Sequence, residues 1–259
     1  MKTLQHSRAR LKRENLVLER IPEFAGVVPQ KGNTKARFLY ECETMPIEIP
    51  IGIHYLNNGK VMIHVPGYDE RMDGYKDKYK TLAEFVQRKG LATVLRIDCL
   101  GRLHHQLENT LPDDLRAILN YSIKDSRQIC GSDNPEIYLM GFSLGTSVVS
   151  EVAYEFPQVK RVLLMGTGGL DSKSVEGISR FSGEIYLVTG ENDRHICDAR
   201  TIYGAAVEAS NRELVVIPNC DHHFRHETND KIYSKAPFWA FGGDTSFPNP
   251  EGGIRLVQK

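Results

Sequence analysis

Three residues set far apart along the chain, Ser143, Asp193 and His222, could together open an acyl bond. A serine hydroxyl is a weak nucleophile near neutral pH and needs an adjacent base. Histidine supplies that base when a carboxylate on its other ring nitrogen fixes the tautomer. Ser143 lies in Gly141-Phe142-Ser143-Leu144-Gly145, a G-x-S-x-G pattern. A bare pattern of that kind arises by chance in roughly one chain in ten of this size, so its surroundings decide its meaning. Before it, Ile137 to Met140 are strand-forming or apolar, and too few for a buried helix. After it, Val148, Val149, Val152 and Ala153 recur at helical spacing. A strand that breaks into a helix across this turn presents its serine as a nucleophile elbow. Gly141 and Gly145 let neighbouring backbone approach without a Cβ clash. The turn aims Ser143 Oγ at a helix N-terminus, where free N–H groups favour developing negative charge.

The partners lie further on. Asp193 closes Gly190-Glu191-Asn192-Asp193, after an apolar strand at Ile185 to Val188. Alone it reads as a turn residue, or as the cap of a helix starting near Asp198. His222 follows the strand at Leu214 to Ile217 and alone reads as a surface histidine, as His195, His223 and His226 do. What favours catalysis is the coincidence. Three required residue types fall at three strand ends, in the order serine, aspartate, histidine, and open α/β sheets bind ligands outside the carboxyl ends of their strands. His222, His223 and His226 with Asp221 resemble a metal-binding set. His222 is already committed to the serine, however, and a solvated histidine-rich loop is the expected reading. No metal and no cofactor is expected.

The elements that would position these groups can be read along the chain. Ala36 to Cys42 and Ile47 to Tyr55 are β-like runs, the second alternating with Ile47, Ile49, Ile51, Ile53 and Tyr55 on one face. Asn57-Asn58-Gly59 signals a turn and Val61 to Val65 the next strand, so the front of the domain reads as antiparallel hairpins. Strand-helix alternation follows, the mark of a mostly parallel sheet. Leu82, Phe85 and Val86 form a helical stripe ending at Gly90, and Thr93 to Ile97 a strand delivering Asp98. Asp113 and Asp114 open a helix faced by Leu115, Ile118, Leu119 and Ile123. Arg161 to Met165 is a strand, and Ala199 to Ser210 reads as helical. There is no internal repeat or linker.

Composition excludes several classes. At 259 residues, 41% hydrophobic and 25% charged, the chain is of ordinary globular character. Its zero formal net charge argues against nucleic acid as a main partner. No apolar run is long enough to span a bilayer, and the N-terminus lacks the apolar core of a secretory signal. Cys42, Cys99, Cys130, Cys197 and Cys220 are scattered without a C-x-x-C pair, which reads as free thiols in a reducing cytoplasm. Met1 to Arg20 is basic, but Glu14 and Glu19 spoil a transit-peptide composition, so a surface-packed or frayed terminus is expected.

These motifs resemble the α/β-hydrolase superfamily, and the resemblance runs from about Phe38 to Tyr233. Gly141 to Gly145 matches the elbow, Gly190-Glu191-Asn192-Asp193 is similar to the acid turn, and Asp221-His222-His223-Phe224 resembles the D-H-x-F histidine loop. The register points to His222 rather than His223. The resemblance implies an α/β fold with a mostly parallel central sheet, antiparallel N-terminal strands and helices on both faces. It also implies hydrolysis through an acyl-enzyme: Ser143 attacks, His222 takes and returns the proton, and Asp193 orients the imidazole. Two backbone N–H groups would hold the oxyanion. One is that of Leu144, after the nucleophile. The other is that of Tyr68, since Pro66 has no N–H. The competing reading of Pro66-Gly67-Tyr68 is a plain β-turn.

The chain departs from the family pattern in places. The loop after Asp98 reads Cys-Leu-Gly-Arg-Leu-His-His rather than D-x-x-G-x-G-x-S. The stretch between Met165 and Ile185 leaves no room for a helical cap. The expected layout is a basic arm at 1–35, one cap-less domain at 36–235, and an irregular aromatic, Gly- and Pro-rich tail at 236–259. In that tail Phe238, Trp239 and Phe241 pack back on the fold or serve as a partial lid or homodimer contact. The expected activity is cleavage of a small-molecule acyl ester. Thioester cleavage from coenzyme A or a carrier protein is the alternative, and a hydrolase-like binding module without turnover the competitor from another class.

Overall fold

The apolar runs form strands and the helical stripes form helices in a computed structural model of the chain. The structure describes residues 9–12, 34–41, 46–68, 70–97, 111–225, 227–248 and 254–257. The chain clusters into two units: Met1–His64 with Asp69–Pro135, and Val65–Tyr68 with Glu136–Lys259.

The first unit carries β1 (Ala9–Lys12), β2 (Thr34–Glu41), β3 (Pro46–His54), nearly all of β4 (Lys60–Val65) and β5 (Thr93–Ile97). β1 runs parallel to β2, β2 antiparallel to β3, β3 antiparallel to β5, and β4 parallel to β5. The hairpin expected across Asn57-Asn58-Gly59 is therefore corrected. β5 takes the place beside β3 that β4 would have filled, and the connection from β3 is tied to it by Leu56 N–H donating to Thr93 Oγ1 at 2.7 Å. α1 (Lys78–Arg88) buries Tyr79, Leu82, Ala83 and Val86, a single stripe at helical spacing. α2 (Leu111–Lys124) opens with Asp113 and Asp114 in its first turn and buries Leu115, Ile118 and Leu119. The short α3 (Ser126–Cys130) ends at Gly131, which adopts a left-handed φ of 81°. Of the expected basic arm, Ala9–Lys12 is strand. The rest of Met1 to Arg20, Cys42, Cys99, the loop after Asp98 and His226 lie outside the described residues.

The second unit holds β6 (Glu136–Ser143), β7 (Val159–Thr167), β8 (Glu184–Gly190) and β9 (Asn211–Ile217), which pair in that order, all parallel. β10 (Ile254–Val257) adds antiparallel to β9. The helices are α4 (Leu144–Val152), α5 (Ser172–Ser179), α6 (Ile196–Ala205) and α7 (Glu227–Gly242). Runs such as Val162 to Met165 and Ile185 to Val188 are wholly buried, as expected for strands covered on both faces. Only α5 occupies the stretch between β7 and β8; it is capped by Asp171, whose carboxylate accepts from Ser174 N–H at 2.8 Å.

Two expectations change here. The helix read as Ala199 to Ser210 stops at Ala205: Ala206 leaves the helical region with ψ 60°, and Arg212 donates to the carbonyls of Tyr203 and Ala206 at the helix end. The stretch from Ala236, expected to be irregular, is helical to Gly242 with Pro237 inside it. The helix survives the proline because the residues around it are anchored. Ala236, Trp239, Ala240 and Phe241 are buried, with Trp239 edge-on to Tyr186 and Phe241 stacked on Tyr138.

Candidate active site

β6 delivers Ser143 in a conformation few non-glycine residues adopt, φ 51° and ψ −119°. Two glycines make the turn feasible. A Cβ on Gly141 would lie 2.6 Å from the Gly145 carbonyl oxygen, and one on Gly145 would lie 2.3 Å from that of Val65. The first turn of α4 thus rests on the backbone leaving β4. Thr146 Oγ1–H donates to the Ser143 carbonyl at 2.6 Å and accepts from Gly168 N–H at 3.2 Å, which ties the turn to the end of β7.

β8 and β9 supply the other two groups. His222 Nε2 lies 2.9 Å from Ser143 Oγ, and His222 Nδ1 lies 2.8 Å from Asp193 Oδ2. An ionised carboxylate only accepts, so Nδ1 carries the proton and Nε2 is left to accept from the serine hydroxyl. Asp193 is 2% exposed, and its other oxygen accepts His195 N–H at 2.8 Å. Burial alone would raise the Asp193 carboxyl; the hydrogen bonds from His222 and from the His195 backbone outweigh it and hold the group below its ordinary value. The loop of the acid is laced to the loop of the histidine by Asn192 N–H to Cys220 O and Asn219 N–H to Glu191 Oε2, both 2.9 Å.

Leu144 is the first residue of α4, so its N–H is among the helix's unsatisfied donors. Val65, Pro66 and Gly67 are buried beside that helix start, and the Tyr68 side chain, 67% exposed, stands out from the same segment. His223 is exposed, with its ring 6.1 Å from that of Phe142. Among the described residues, no group of three or more His, Cys, Asp or Glu is disposed to hold a metal ion. Cys130 and Cys197 are free thiols.

Comparison with known proteins places the family and the fold. The family model for the dienelactone hydrolase family matches residues 81–239, more than half of the chain. The chain belongs to the dienelactone hydrolase family. A dienelactone hydrolase from Anabaena variabilis superposes with a TM-score of 0.63 at 16% identity, over 81% of this chain and 99% of that one. Est1E from Butyrivibrio proteoclasticus gives 0.59 at 14%, over 80% and 96%. The esterase Pf2001 from Pyrococcus furiosus gives 0.62 at 13%, over 81% and 93%. A search of curated proteins by sequence found no match. The fold is accordingly that of the α/β-hydrolases, a mostly parallel sheet with antiparallel N-terminal strands and helices around it. Family and fold support a hydrolase acting on esters. Among the described residues no helix is long and apolar enough to cross a membrane.

One residue of this dienelactone hydrolase family member reads as a surface histidine in the sequence but stands at the site. His195 follows Asp193 by two positions, and its ring centroid lies 5.4 Å from that of His222. Its Nε2 accepts from Arg194 Nε at 2.9 Å, so its Nδ1 carries the proton and donates to Asp198 Oδ2 at 3.2 Å. The signal available in the sequence is its place on the loop of the acid, at the same strand end.

Proposed function

We propose that the chain is a serine hydrolase that cleaves a carboxylic ester through an acyl-enzyme. The observation that carries this reading is the continuous hydrogen-bonded line from Ser143 Oγ through His222 to the buried Asp193. In this reading His222 Nε2 takes the hydroxyl proton as Ser143 Oγ attacks the ester carbonyl. Asp193 stays ionised and stabilises the imidazolium that forms. The N–H groups of Leu144 and Tyr68 receive the negative charge on the carbonyl oxygen, each contributing on the order of a hundredfold in kcat. His222 then returns its proton to the departing alcohol. Water, activated by the same histidine, releases the acyl group. With only α5 between β7 and β8, no inserted cap stands between the two strands, which suits an accessible ester.

The test is covalent labelling with a fluorophosphonate probe, followed by peptide mapping, alongside the time course of 4-nitrophenyl acetate hydrolysis. Labelling at Ser143 with a burst of nitrophenol is expected, and Ser143→Ala should abolish both. Tight ligand binding without labelling would instead make the protein a binding module. Faster release from acyl-coenzyme A than from aryl esters would reassign it as a thioesterase with the same machinery.

A further inference from the structure

A trans peptide is one rigid plane, with its C=O and N–H pointing opposite ways. Whatever holds the Ser143 carbonyl therefore aims the Leu144 N–H, since both belong to one peptide. That N–H is an oxyanion donor in the reading above. Relaxed backbone does not set its direction, because Ser143 sits at φ 51° and ψ −119°. Such a conformation persists only where surrounding contacts over-determine it.

One of those contacts is a side chain the hydrolytic scheme does not use. Thr146 is fully buried in the first turn of α4. Its Oγ1 lies 2.6 Å from the Ser143 carbonyl oxygen and 3.2 Å from Gly168 N. A hydroxyl has a single proton to give. The amide of Gly168 only donates and the carbonyl of Ser143 only accepts, so the direction of the relay is fixed. Gly168 N–H gives to Thr146 Oγ1, and Thr146 O–H gives to the Ser143 carbonyl. A helical threonine that bonds back toward the preceding turn is common. The bond from Gly168 sets this one apart. It comes from the segment after β7, where a Cβ on Gly168 would lie 3.7 Å from Ser143 Oγ. Thr146 thus joins two stretches of backbone that border the nucleophile. The helix ladder also draws on an N-cap carbonyl, but that oxygen has two acceptor sites and room for the hydroxyl.

We propose that Thr146 is a positioning residue of the oxyanion hole: through the Ser143 carbonyl it holds the Leu144 N–H toward the oxygen of the tetrahedral intermediate. This rests on the ester-hydrolase reading above and on the role of Leu144 in it. Thr146 lies beneath the turn and touches no substrate, so its effect belongs to the charged intermediate rather than to ester binding.

The experiment compares Thr146→Val, which keeps the shape and removes the hydroxyl, with Thr146→Ser, which keeps the hydroxyl and removes the methyl. Thr146→Ala takes the place of valine if the valine protein does not fold. On 4-nitrophenyl acetate, Thr146→Val should lose about tenfold to a hundredfold in kcat, with KM within about threefold of the parent. Thr146→Ser should stay within about threefold of the parent in both. The second readout is inhibition by 1,1,1-trifluoro-4-phenylbutan-2-one. Ser143 Oγ adds to its carbonyl, the hydroxyl proton passes to His222, and the hemiketal keeps the oxyanion. Its affinity should fall in Thr146→Val by the same factor as kcat/KM, while inhibition by 4-phenylbutan-2-one, which forms no stable hemiketal, should not change. Parental kcat/KM in Thr146→Val, a loss carried by KM alone, equal weakening of both ketones, or a serine variant as impaired as the valine one would each overturn this inference and leave the hydrolase reading intact. A parent protein that neither turns over the ester nor is labelled by a fluorophosphonate would overturn the hydrolase reading, and this inference with it.

Discussion

Gly190 lies so close to Cys220 that a Cβ on it would sit 2.2 Å from the Cys220 carbonyl oxygen. This contact sets the spacing between the loop holding Asp193 and the loop holding His222. Gly190→Ala must push the two loops apart, since the obstruction is backbone and cannot rotate away. The expected result is a fall in kcat of about tenfold or more with a stability loss of roughly 1–3 kcal/mol. Gly204→Ala is the contrasting change. Gly204 is exposed in α6, and its added methyl meets nothing within 4 Å. That variant should gain roughly 0.5–1 kcal/mol by denaturant titration and keep its activity.

Asp193→Asn keeps the shape of the side chain and removes its charge. An amide that turns its NH2 toward His222 would force the proton onto Nε2, facing the serine, where it cannot act as base. The expectation is a kcat loss on the order of 10³–10⁴ with little change in KM. Fluorophosphonate labelling of Ser143 should slow in parallel. A loss smaller than about tenfold would place the base elsewhere.

Much of this was legible because the chemistry needs small residues and strand ends, both of which leave marks in a sequence. Gly141, Gly145 and Gly190 are glycines because backbone occupies the place of a Cβ. What was hidden depended on tertiary partners. Nothing local tells that β5 comes to lie between β3 and β4, since that follows from how the segment carrying α1 returns to the sheet. Local propensity disfavours a helix across Pro237, and only the burial of Trp239 and Phe241 overrides it. His195 escapes a reading of the sequence because what marks it is its neighbour His222, and not its own pattern.

Trp239 sits between Tyr186 and Phe247, with ring centroids 4.9 Å from each. It is 4% exposed, and it pins α7 through the turn in which Pro237 removes a backbone donor. Trp239→Ala should cost about 3–5 kcal/mol in chemical denaturation. If the aromatics instead served only as a lid or a dimer contact, the variant would keep its stability and change kinetics or oligomeric state.

Acid should weaken the first unit through two buried histidines. His54 and His64 are both driven down to about 3, by burial first and by the nearby Arg96 charge second. Arg96 is itself buried, donating to His54 Nε2 at 3.2 Å and to the Met72 carbonyl at 2.9 Å, and pairing with Asp73. Above an ordinary histidine value of about 6.5, both folded and unfolded chains hold these rings neutral and stability does not depend on them. Below it the unfolded chain takes up two protons that the folded chain refuses. Stability then falls as pH drops, by about 1.4 kcal/mol per pH unit for each ring, until the folded value near 3 is reached. Urea midpoints taken between pH 7.5 and 4.5 should trace that decline. His64→Phe retains a ring against Tyr79, whose centroid lies 4.2 Å away, and removes one of the two titrations. Its pH slope over the same range should be shallower than that of the parent by about one proton, and an identical slope would show that His64 is not held neutral in the folded protein.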